Sequence, residues 1–88
     1  MADLEVQFES FAEKARNLRY TPTDEEKLTL YGLYKQANCG NNHTAKPHFL
    51  ELKNVAKWEA WDKNRGLCKH DAMKKYITYV KTLMLKQD

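Results

Sequence analysis

The chain has 88 residues, of which 42% are hydrophobic and 31% charged, with only 3 Gly and 2 Pro. This size suits a single domain, and the composition is typical of a soluble globular protein and not of a disordered chain. No apolar run approaches the roughly 18 residues of a transmembrane helix. Residues 1–5 have neither the basic start nor the apolar core of a signal peptide, so we expect a cytoplasmic protein.

Charge is distributed unevenly along the chain. Residues 1–40 contain five Lys or Arg against seven Asp or Glu, whereas residues 41–88 contain ten against five. The carboxyl-terminal half therefore supplies the net charge of +3 and could attract an anion. A solvated, lysine-rich helix surface would have the same composition, so charge alone leaves both interpretations open.

The cysteines and histidines do not suggest a metal site. Cys39 and Cys68 lack the CxxC spacing, and two thiols make no metal framework, so we expect reduced thiols, with a disulfide as the alternative. His43 and His48 have no acidic or thiol partner at useful spacing and are expected at the surface.

The first half of the chain predicts two helices. A helix over residues 3–18 follows from an apolar stripe at helical spacing. The stripe consists of Leu4, Phe8, Phe11, Ala12, Ala15 and Leu18. Pro22 breaks this helix, and Thr23 with Glu26 forms the pattern of a capping box. The second helix then covers residues 24–38, with Gly40 as its stop signal.

A long connection over residues 40–52 follows, because its turn-forming residues and Pro47 disfavour a helix. We expect its apolar residues, Phe49, Leu50 and Leu52, to pack onto the helices. The third helix covers residues 53–63 and ends before Gly66. Within it, Trp58 is expected to anchor the core.

The fourth helix covers residues 69–86 and has the strongest apolar stripe in the chain. Cys68 occupies the expected cap position, where cysteine is a poor cap. Four helices without a strand pattern predict an all-α, four-helix bundle. Helices 1 and 4 have the cleanest single stripes, so we expect them to pack on each other.

Helix 2 has two different faces. Leu30, Leu33, Tyr34 and Ala37 cluster on one side, whereas Leu28, Tyr31 and Lys35 fall on nearly the opposite side. Helix 3 repeats this pattern on the side that carries Lys53, Lys57, Ala60 and Trp61.

The mixed faces combine three chemical features. Ammonium groups bind phosphate, phenols donate hydrogen bonds and offer a face to a purine, and the neighbouring apolar positions could hold an alkyl chain. An amphiphile with a polyanionic nucleotide head and a long tail would use all three. Glycine-rich phosphate loops are absent from the sequence, so side chains would recognise the head. Core tyrosines and solvated lysines are the competing interpretation.

Several motifs in order resemble one family. Residues 31–37 (YGLYKQA), Gly40, Pro47, Lys53, residues 56–61 (AKWEAW), residues 71–73 (DAM) and residues 76–77 (YI) are similar to the acyl-CoA-binding protein family, also known as diazepam-binding inhibitor. The resemblance covers nearly the whole chain. It implies an acyl-CoA-binding domain over residues 3–87, folded as a skewed up-down-down-up bundle, with the ligand bound across helices 2 and 3.

The resemblance also implies which residues contact the ligand. The positions that contact the CoA head group in the family match Tyr31, Tyr34, Lys35, Lys57 and Tyr76, together with Lys53 and Arg16. Among these, Tyr31, Lys35 and Lys57 correspond to the residues that chiefly hold the adenosine 3′-phosphate. We extend the expected ligand site to Ala12, Leu28, Gly32 and Leu33.

The sequence departs from the family pattern at several positions. Arg16 stands where familiar members have Lys, and Lys27 where they often have Met near the acyl chain. Residues 46–50 read KPHFL instead of RPGML, and Asn54-Val55 replaces Gly-Lys. Arg16 keeps the charge of the lysine but changes the donor geometry. The other changes leave the expected head-group residues in place and put the chain-length preference in doubt.

The expected function is that of an intracellular carrier and pool former that binds medium- to long-chain acyl-CoA esters with high affinity. We expect a monomer without enzymatic activity or cofactor, which meets acyl-CoA-using enzymes and membranes transiently and binds no nucleic acid. One alternative is an enzyme that pairs His43, His48 or His70 with Cys39 or Cys68, although no orienting constellation is evident. Others are a nucleic-acid binder using the basic half, and a secreted peptide signal.

Overall fold

The computed structural model describes residues 3–87; residues 1–2, on which part of the signal-peptide expectation rests, and residue 88 lie outside this range. Four helices form in the described residues: α1 (Asp3–Arg16), α2 (Asp24–Cys39), α3 (Leu52–Asp62) and α4 (Lys69–Lys86). The predicted all-α class is confirmed, and no strand occurs in residues 3–87. None of the helices in this range is long and apolar enough to cross a bilayer.

Helix α1 ends two residues earlier than predicted. The side chain of Asn17 donates to the carbonyl oxygen of Glu13 at 2.9 Å, and its backbone N–H donates to the carbonyl of Lys14 at 3.1 Å. These bonds tighten the last turn and satisfy carbonyls that continued helix would have used.

Helix α2 begins at the predicted residue and ends at Cys39, one residue later than predicted and directly before the expected stop at Gly40. The backbone N–H of Glu26 donates to Oγ1 of Thr23 at 3.1 Å, and the backbone N–H of Thr23 donates to Oε1 of Glu26 at 2.9 Å. This reciprocal pair is the capping box. Gly40 follows the helix with φ of 77°, a value that favours glycine, and its N–H donates to the carbonyl of Gln36 at 2.9 Å.

Two contacts fix α2 and α4 antiparallel. At the start of α2, Oε2 of the buried Glu26 accepts from Nζ of Lys86 at 2.7 Å. The pKa of this carboxyl is lowered below its ordinary value of 4.5, chiefly by the hydrogen bond from the Lys86 ammonium. At the other end of α2, Nε2 of Gln36 donates to the carbonyl of Leu67 at 2.7 Å, just before α4 begins.

The remaining helices run alongside these two. Phe8 of α1 packs against Tyr76 of α4 with ring centroids 5.1 Å apart, and beyond α1 the N–H of Arg19 donates to Oε1 of Gln87 at 2.7 Å. Helices α1 and α4 are therefore parallel, and their expected contact is confirmed. Gly32 of α2 lies against Ala60 of α3, and the first turns of both helices line one groove. Helices α2 and α3 are therefore also parallel. The expected up-down-down-up order is thereby confirmed.

The core lies between α1, α2 and α4. Its buried members are Phe8, Ala12, Leu33, Ala37, Ala72, Tyr76, Ile77 and Val80. Most of these residues belong to the apolar stripes predicted for α1 and α4, and the others come from α2. Hydrophobic burial therefore drives the association of the three helices.

The two tryptophans of α3 differ in burial from what the sequence predicted. Trp61, placed on the mixed face from the sequence, is only 9% exposed, and its Nε1 donates to the carbonyl of Gly40 at 2.9 Å. The prediction that Trp58 anchors the core is wrong. It is half-buried outside the core cluster, and its Nε1 donates to the carbonyl of Thr44 at 3.0 Å, so it holds the connection between α2 and α3.

The prediction that Phe49, Leu50 and Leu52 pack onto the helices is also wrong, since they are 73%, 70% and 75% exposed. The N–H of Glu51 donates to the carbonyl of His48 at 2.9 Å, which closes a tight turn with Phe49 and Leu50 at its tip. The turn leaves Phe49 and Leu50 exposed, whereas Leu52 is the first residue of α3. His43 and His48 are exposed, as expected.

Candidate functional site

Helices α2 and α3 approach each other closely at a glycine. A Cβ placed on Gly32 would collide with the carbonyl oxygen of Ala60. Both Gly32 and Ala60 are buried. The small residues at this crossing therefore bring the mixed faces of the two helices together.

Tyr31 and Lys57 meet across this crossing. The ammonium nitrogen of Lys57 lies 5.6 Å from the centroid of the Tyr31 ring, within the range of a cation–π contact. One turn further along α2, the ammonium of Lys35 lies 4.8 Å from the centroid of the Trp61 ring. We call the Tyr31–Lys57 pair, with Lys35 beside it, the seam.

A groove of about 360 Å³ lies on one side of the seam, between the first turns of α2 and α3. We call it the lysine groove; it is lined by Asp24, Lys27, Leu28, Leu52, Lys53, Ala56 and Lys57. Three of these residues are aliphatic and three are lysines, with one carboxylate among them. Such a groove can hold an apolar chain and place positive charge beside it.

A second groove, of about 430 Å³, lies between α1, α2 and α4. We call it the tyrosine groove; it is lined by Ala12, Ala15, Arg16, Pro22, Lys27, Leu30, Tyr31, Tyr34 and Tyr76. Its cations are Arg16, whose guanidinium lies 2.8 Å from a carboxylate oxygen of Glu13, and Lys27.

The two grooves adjoin each other. Lys27 lines both of them, and the Tyr31–Lys57 contact joins a residue of the tyrosine groove to one of the lysine groove. No ion pair or hydrogen bond occupies the Lys27 ammonium within residues 3–87. A single extended ligand could therefore contact both grooves and the Lys27 ammonium.

Three phenols face the tyrosine groove. Tyr76 is almost fully buried, and burial, partly offset by the nearby Arg16 charge, raises the pKa of its phenol to about 12. Tyr34 stacks on Phe8 with ring centroids 5.5 Å apart, which fixes the orientation of its ring. Among the described residues, the hydroxyls of Tyr31, Tyr34 and Tyr76 have no intramolecular acceptor, so they can donate to a bound molecule.

The structure brings most of the expected site residues together. Leu28, Lys53 and Lys57 line the lysine groove, whereas Ala12, Arg16, Tyr31, Tyr34 and Tyr76 line the tyrosine groove. Lys35 lies at the seam. Gly32 and Leu33 line neither groove: Gly32 is buried at the helix crossing, and Leu33 is buried in the core.

Several lining residues were absent from the expected site. Leu52 and Ala56 complete the aliphatic floor of the lysine groove, and Pro22 and Leu30 contribute to the tyrosine groove. The parallel run of α2 and α3 could have indicated Ala56, because it lies one turn before Ala60 on the face that meets α2. No signal marks Pro22, whose position depends on the path of the loop after α1.

The titratable residues do not form a second kind of site. Within residues 3–87, no three His, Cys, Asp or Glu side chains come together in a way that could hold a metal ion. Cys39 and Cys68 are exposed free thiols, in agreement with the expectation.

Comparison with known proteins relates this geometry to a family. A family model described as "Acyl CoA binding protein" matches residues 5–80. The "Acyl-CoA-binding protein homolog" of Drosophila melanogaster is 50% identical over 80 residues, which cover 91% of this chain and 93% of the relative. This chain belongs to the acyl-CoA-binding protein family.

Solved structures of acyl-CoA-binding proteins share the fold. The crystal structure of Oryza sativa acyl-CoA-binding protein 2 superposes with a TM-score of 0.90 at 48% identity, covering 94% of this chain and 92% of that one. The solution structure of the yeast acyl coenzyme A binding protein gives 0.73 at 39% identity, covering 99% and 98%. The four-helix arrangement derived above from contacts is thus that of the acyl-CoA-binding protein fold.

Proposed function

We propose that this chain binds medium- to long-chain acyl-CoA esters with high affinity through residues 3–87 and carries them in the cytoplasm as a monomer. The observation that supports this proposal most is the seam, where Tyr31 and Lys57 from two helices meet between an aliphatic groove and an aromatic one. A nucleotide joined to a long alkyl chain has the matching polarity. Membership of the acyl-CoA-binding protein family supports the same ligand.

The proposed ligand is divided between the two grooves. Its acyl chain lies on the floor formed by Leu28, Leu52 and Ala56, and its nucleotide head lies at the seam and along the tyrosine groove. Burying each CH₂ group of the chain stabilises the complex by about 0.8 kcal/mol, less the cost of ordering the ligand. Affinity should therefore rise steeply with chain length.

The proposed head-group contacts combine phenols with cations. The phenols of Tyr31, Tyr34 and Tyr76 donate hydrogen bonds, and Arg16, Lys35, Lys53 and Lys57 supply positive charge. Burial raises the pKa of the Tyr76 phenol to about 12, which favours its protonated, hydrogen-bond-donating form. Lys27, between the grooves, places a charge near the thioester end of the chain.

We further propose that the chain is a binding protein without enzymatic activity or cofactor. His43, His48 and His70 are all exposed, and the nearest carboxylate oxygen to Nδ1 of His70, on Asp71, is 3.8 Å away. No Cys–His hydrogen bond forms within residues 3–87, so a thiol nucleophile has no base there. The enzyme alternative predicts release of free CoA from hexadecanoyl-CoA by the purified protein, and we expect none above the uncatalysed rate.

Titration calorimetry with CoA, acetyl-CoA, dodecanoyl-CoA and hexadecanoyl-CoA tests the proposed ligand. We expect the affinity to rise by at least about a hundredfold from acetyl-CoA to hexadecanoyl-CoA. Equal binding of these two esters would contradict the proposed use of the aliphatic floor.

A matched pair of variants localises the binding. Lys57 and Lys81 are both exposed and hold their ammonium groups 5.6 and 5.5 Å from an aromatic centroid, but Lys81 lines neither groove. Lys57→Ala should weaken hexadecanoyl-CoA binding about tenfold or more, whereas Lys81→Ala should leave it unchanged. The same loss in both variants would indicate a general charge effect and not a site.

A further inference from the structure

The turn between α2 and α3 exposes apolar side chains in an unusual place. Phe49 and Leu50 occupy the two central positions of the turn closed between His48 and Glu51, where glycine, asparagine, aspartate and proline predominate. Both are at least 70% exposed. The His48 ring stacks on Phe49 with centroids 4.7 Å apart, and its Nδ1 accepts from the N–H of Leu50 at 3.2 Å, so the side chain of His48 contacts both central residues of the turn.

Leu52, 75% exposed, extends this surface toward the ligand site. We call Phe49, Leu50 and Leu52 the turn patch. Other large exposed apolar residues in the described chain, Val6 and Leu85, stand singly on helices, which is ordinary for a protein surface. The turn patch, by contrast, places three such residues within four positions, which is more than scattered surface exposure explains.

The turn patch adjoins a cluster of positive charge. Leu52 belongs both to the patch and to the lysine groove, whose rim carries Lys27, Lys53 and Lys57. Two carboxylates, Asp24 in the groove and Glu51 in the turn, lie near these three cations and offset part of their charge. Apolar side chains surrounded by net positive charge suit an anionic lipid surface. Insertion of the apolar side chains and attraction to acidic headgroups both contribute to membrane binding.

We propose that the turn patch inserts into the surface of a phospholipid bilayer and orients the open end of the lysine groove toward it. The inference rests on the proposed function, since a bilayer is where a long-chain acyl-CoA partitions when it is not bound to protein. Docking through Phe49 and Leu50 brings the aliphatic floor of Leu28, Leu52 and Ala56 next to the hydrocarbon region. The acyl chain then passes between bilayer and groove without crossing water.

Anchoring of the preceding segment supports a fixed orientation. The carbonyl of Thr44 accepts from Trp58, and Nζ of Lys46 lies 2.9 Å from a carboxylate oxygen of Glu59. Residues 42–46 are thus tied to α3, and the turn projects from a rigid base. Insertion therefore orders few additional groups, which keeps its entropic cost low.

Cosedimentation of the full chain with extruded vesicles, in the absence of acyl-CoA, tests this proposal. Vesicles of phosphatidylcholine alone are compared with vesicles that also contain phosphatidylserine. We expect binding to both and tighter binding to the anionic vesicles. The double variant Phe49→Ser/Leu50→Ser should bind about tenfold more weakly or worse, whereas Leu85→Ser, which removes an equally exposed leucine from α4, should bind like the unmodified chain.

Four outcomes overturn the proposal. They are absence of vesicle binding by the unmodified chain, equal binding by the double variant, equal loss in Leu85→Ser, and self-association of the chain that the double variant abolishes. Thermal unfolding of both variants checks that the fold is intact.

Calorimetry with dodecanoyl-CoA in vesicle-free solution separates this proposal from the proposed function. The double variant should bind this ester as the unmodified chain does, because Phe49 and Leu50 line neither groove. If neither protein binds the ester, the proposed function fails, while the vesicle assay still decides the docking surface on its own.

Discussion

Helix α2 contacts α1 and α4 through one face and α3 through another, and the two faces are built on different principles. The first buries Leu33 and Ala37 against large apolar side chains and excludes water. The second buries Gly32 at a close backbone crossing and leaves Tyr31 and Lys35 only partly covered. Close packing on the first face stabilises the fold. On the second face the side chains are less completely packed, and their polar groups stay accessible to a ligand. Changes on the first face should therefore affect folding, and exposed changes on the second should affect binding.

The largest expected effect on stability comes from emptying the core that the first face covers. Phe8 is 1% exposed and contacts the rings of both Tyr34 and Tyr76. Phe8→Ala should lower the free energy of unfolding by about 3–5 kcal/mol, measured by urea denaturation. Val6, 63% exposed on the same helix, provides the control, and Val6→Ala should change it by less than about 0.5 kcal/mol. A similarly small effect of Phe8→Ala would show that the core is not where we locate it.

A smaller effect is expected at the crossing of α2 and α3. An added methyl group on Gly32 meets the backbone of Ala60, which cannot turn aside as a side chain could. Gly32→Ala should therefore destabilise the fold by about 1–3 kcal/mol, even though alanine favours helix. It should also weaken acyl-CoA binding, because it forces apart the helices that form the seam.

The control for this substitution is Ser10→Ala, at an exposed position within α1. It introduces the same residue without a backbone contact and should leave both stability and binding nearly unchanged. Stabilisation by Gly32→Ala would mean that helix propensity outweighs the contact and that the crossing is looser than described.

The smallest predicted effect concerns α4, which packs against the first face alone. Sγ of Cys68 caps this helix by accepting from the N–H of Asp71, at the long distance of 3.4 Å. A hydroxyl oxygen is a stronger acceptor, so Cys68→Ser should raise the free energy of unfolding by about 0.5–1 kcal/mol. Cys39→Ser, at the exposed end of α2, should not raise it. An unchanged or lower denaturation midpoint for Cys68→Ser would count against the cap.

Much of the fold could be predicted because local patterns determine it. The apolar stripes of α1 and α4, the capping box of Thr23 and Glu26, and the stop at Gly40 each depend on residues close together in sequence. The two faces of α2 followed from helical periodicity in the same way. Most of the ligand site came from the family resemblance, since periodicity alone could not distinguish Tyr31 as a contact from Tyr31 as core.

The two wrong packing predictions both involve the connection between α2 and α3. Trp58 and Trp61 lie only about 60° apart around a helix, so periodicity could not decide which of them faces the bundle. Their positions depend on the carbonyls of Thr44 and Gly40, which accept their indole hydrogen bonds. Phe49 and Leu50 were expected inside because they are apolar, but a turn closed by backbone groups holds them outside. Neither the burial of the tryptophans nor the exposure of Phe49 and Leu50 can be predicted without knowing the path of the loop.

The central claim is that the seam between α2 and α3 recognises the nucleotide head of an acyl-CoA through its 3′-phosphate. We expect Tyr31, Lys35 and Lys57 to act together there, with charge-assisted hydrogen bonds of about 1.5–3 kcal/mol each, reduced by solvent. Removing the 3′-phosphate from the ligand should therefore weaken binding by about 3–5 kcal/mol, or a hundredfold or more.

The most direct test is a calorimetric cycle that combines Lys57→Ala with hexadecanoyl-CoA and its 3′-dephospho analogue, with Lys81→Ala as the matched control. The account predicts that Lys57→Ala weakens binding of the intact ester, barely changes the stability of the protein, and loses most of its effect when the phosphate is absent. Lys35→Ala should behave in the same way. Equal losses for both ligands would contradict the assignment of this phosphate to the seam, even if the protein remained an acyl-CoA binder.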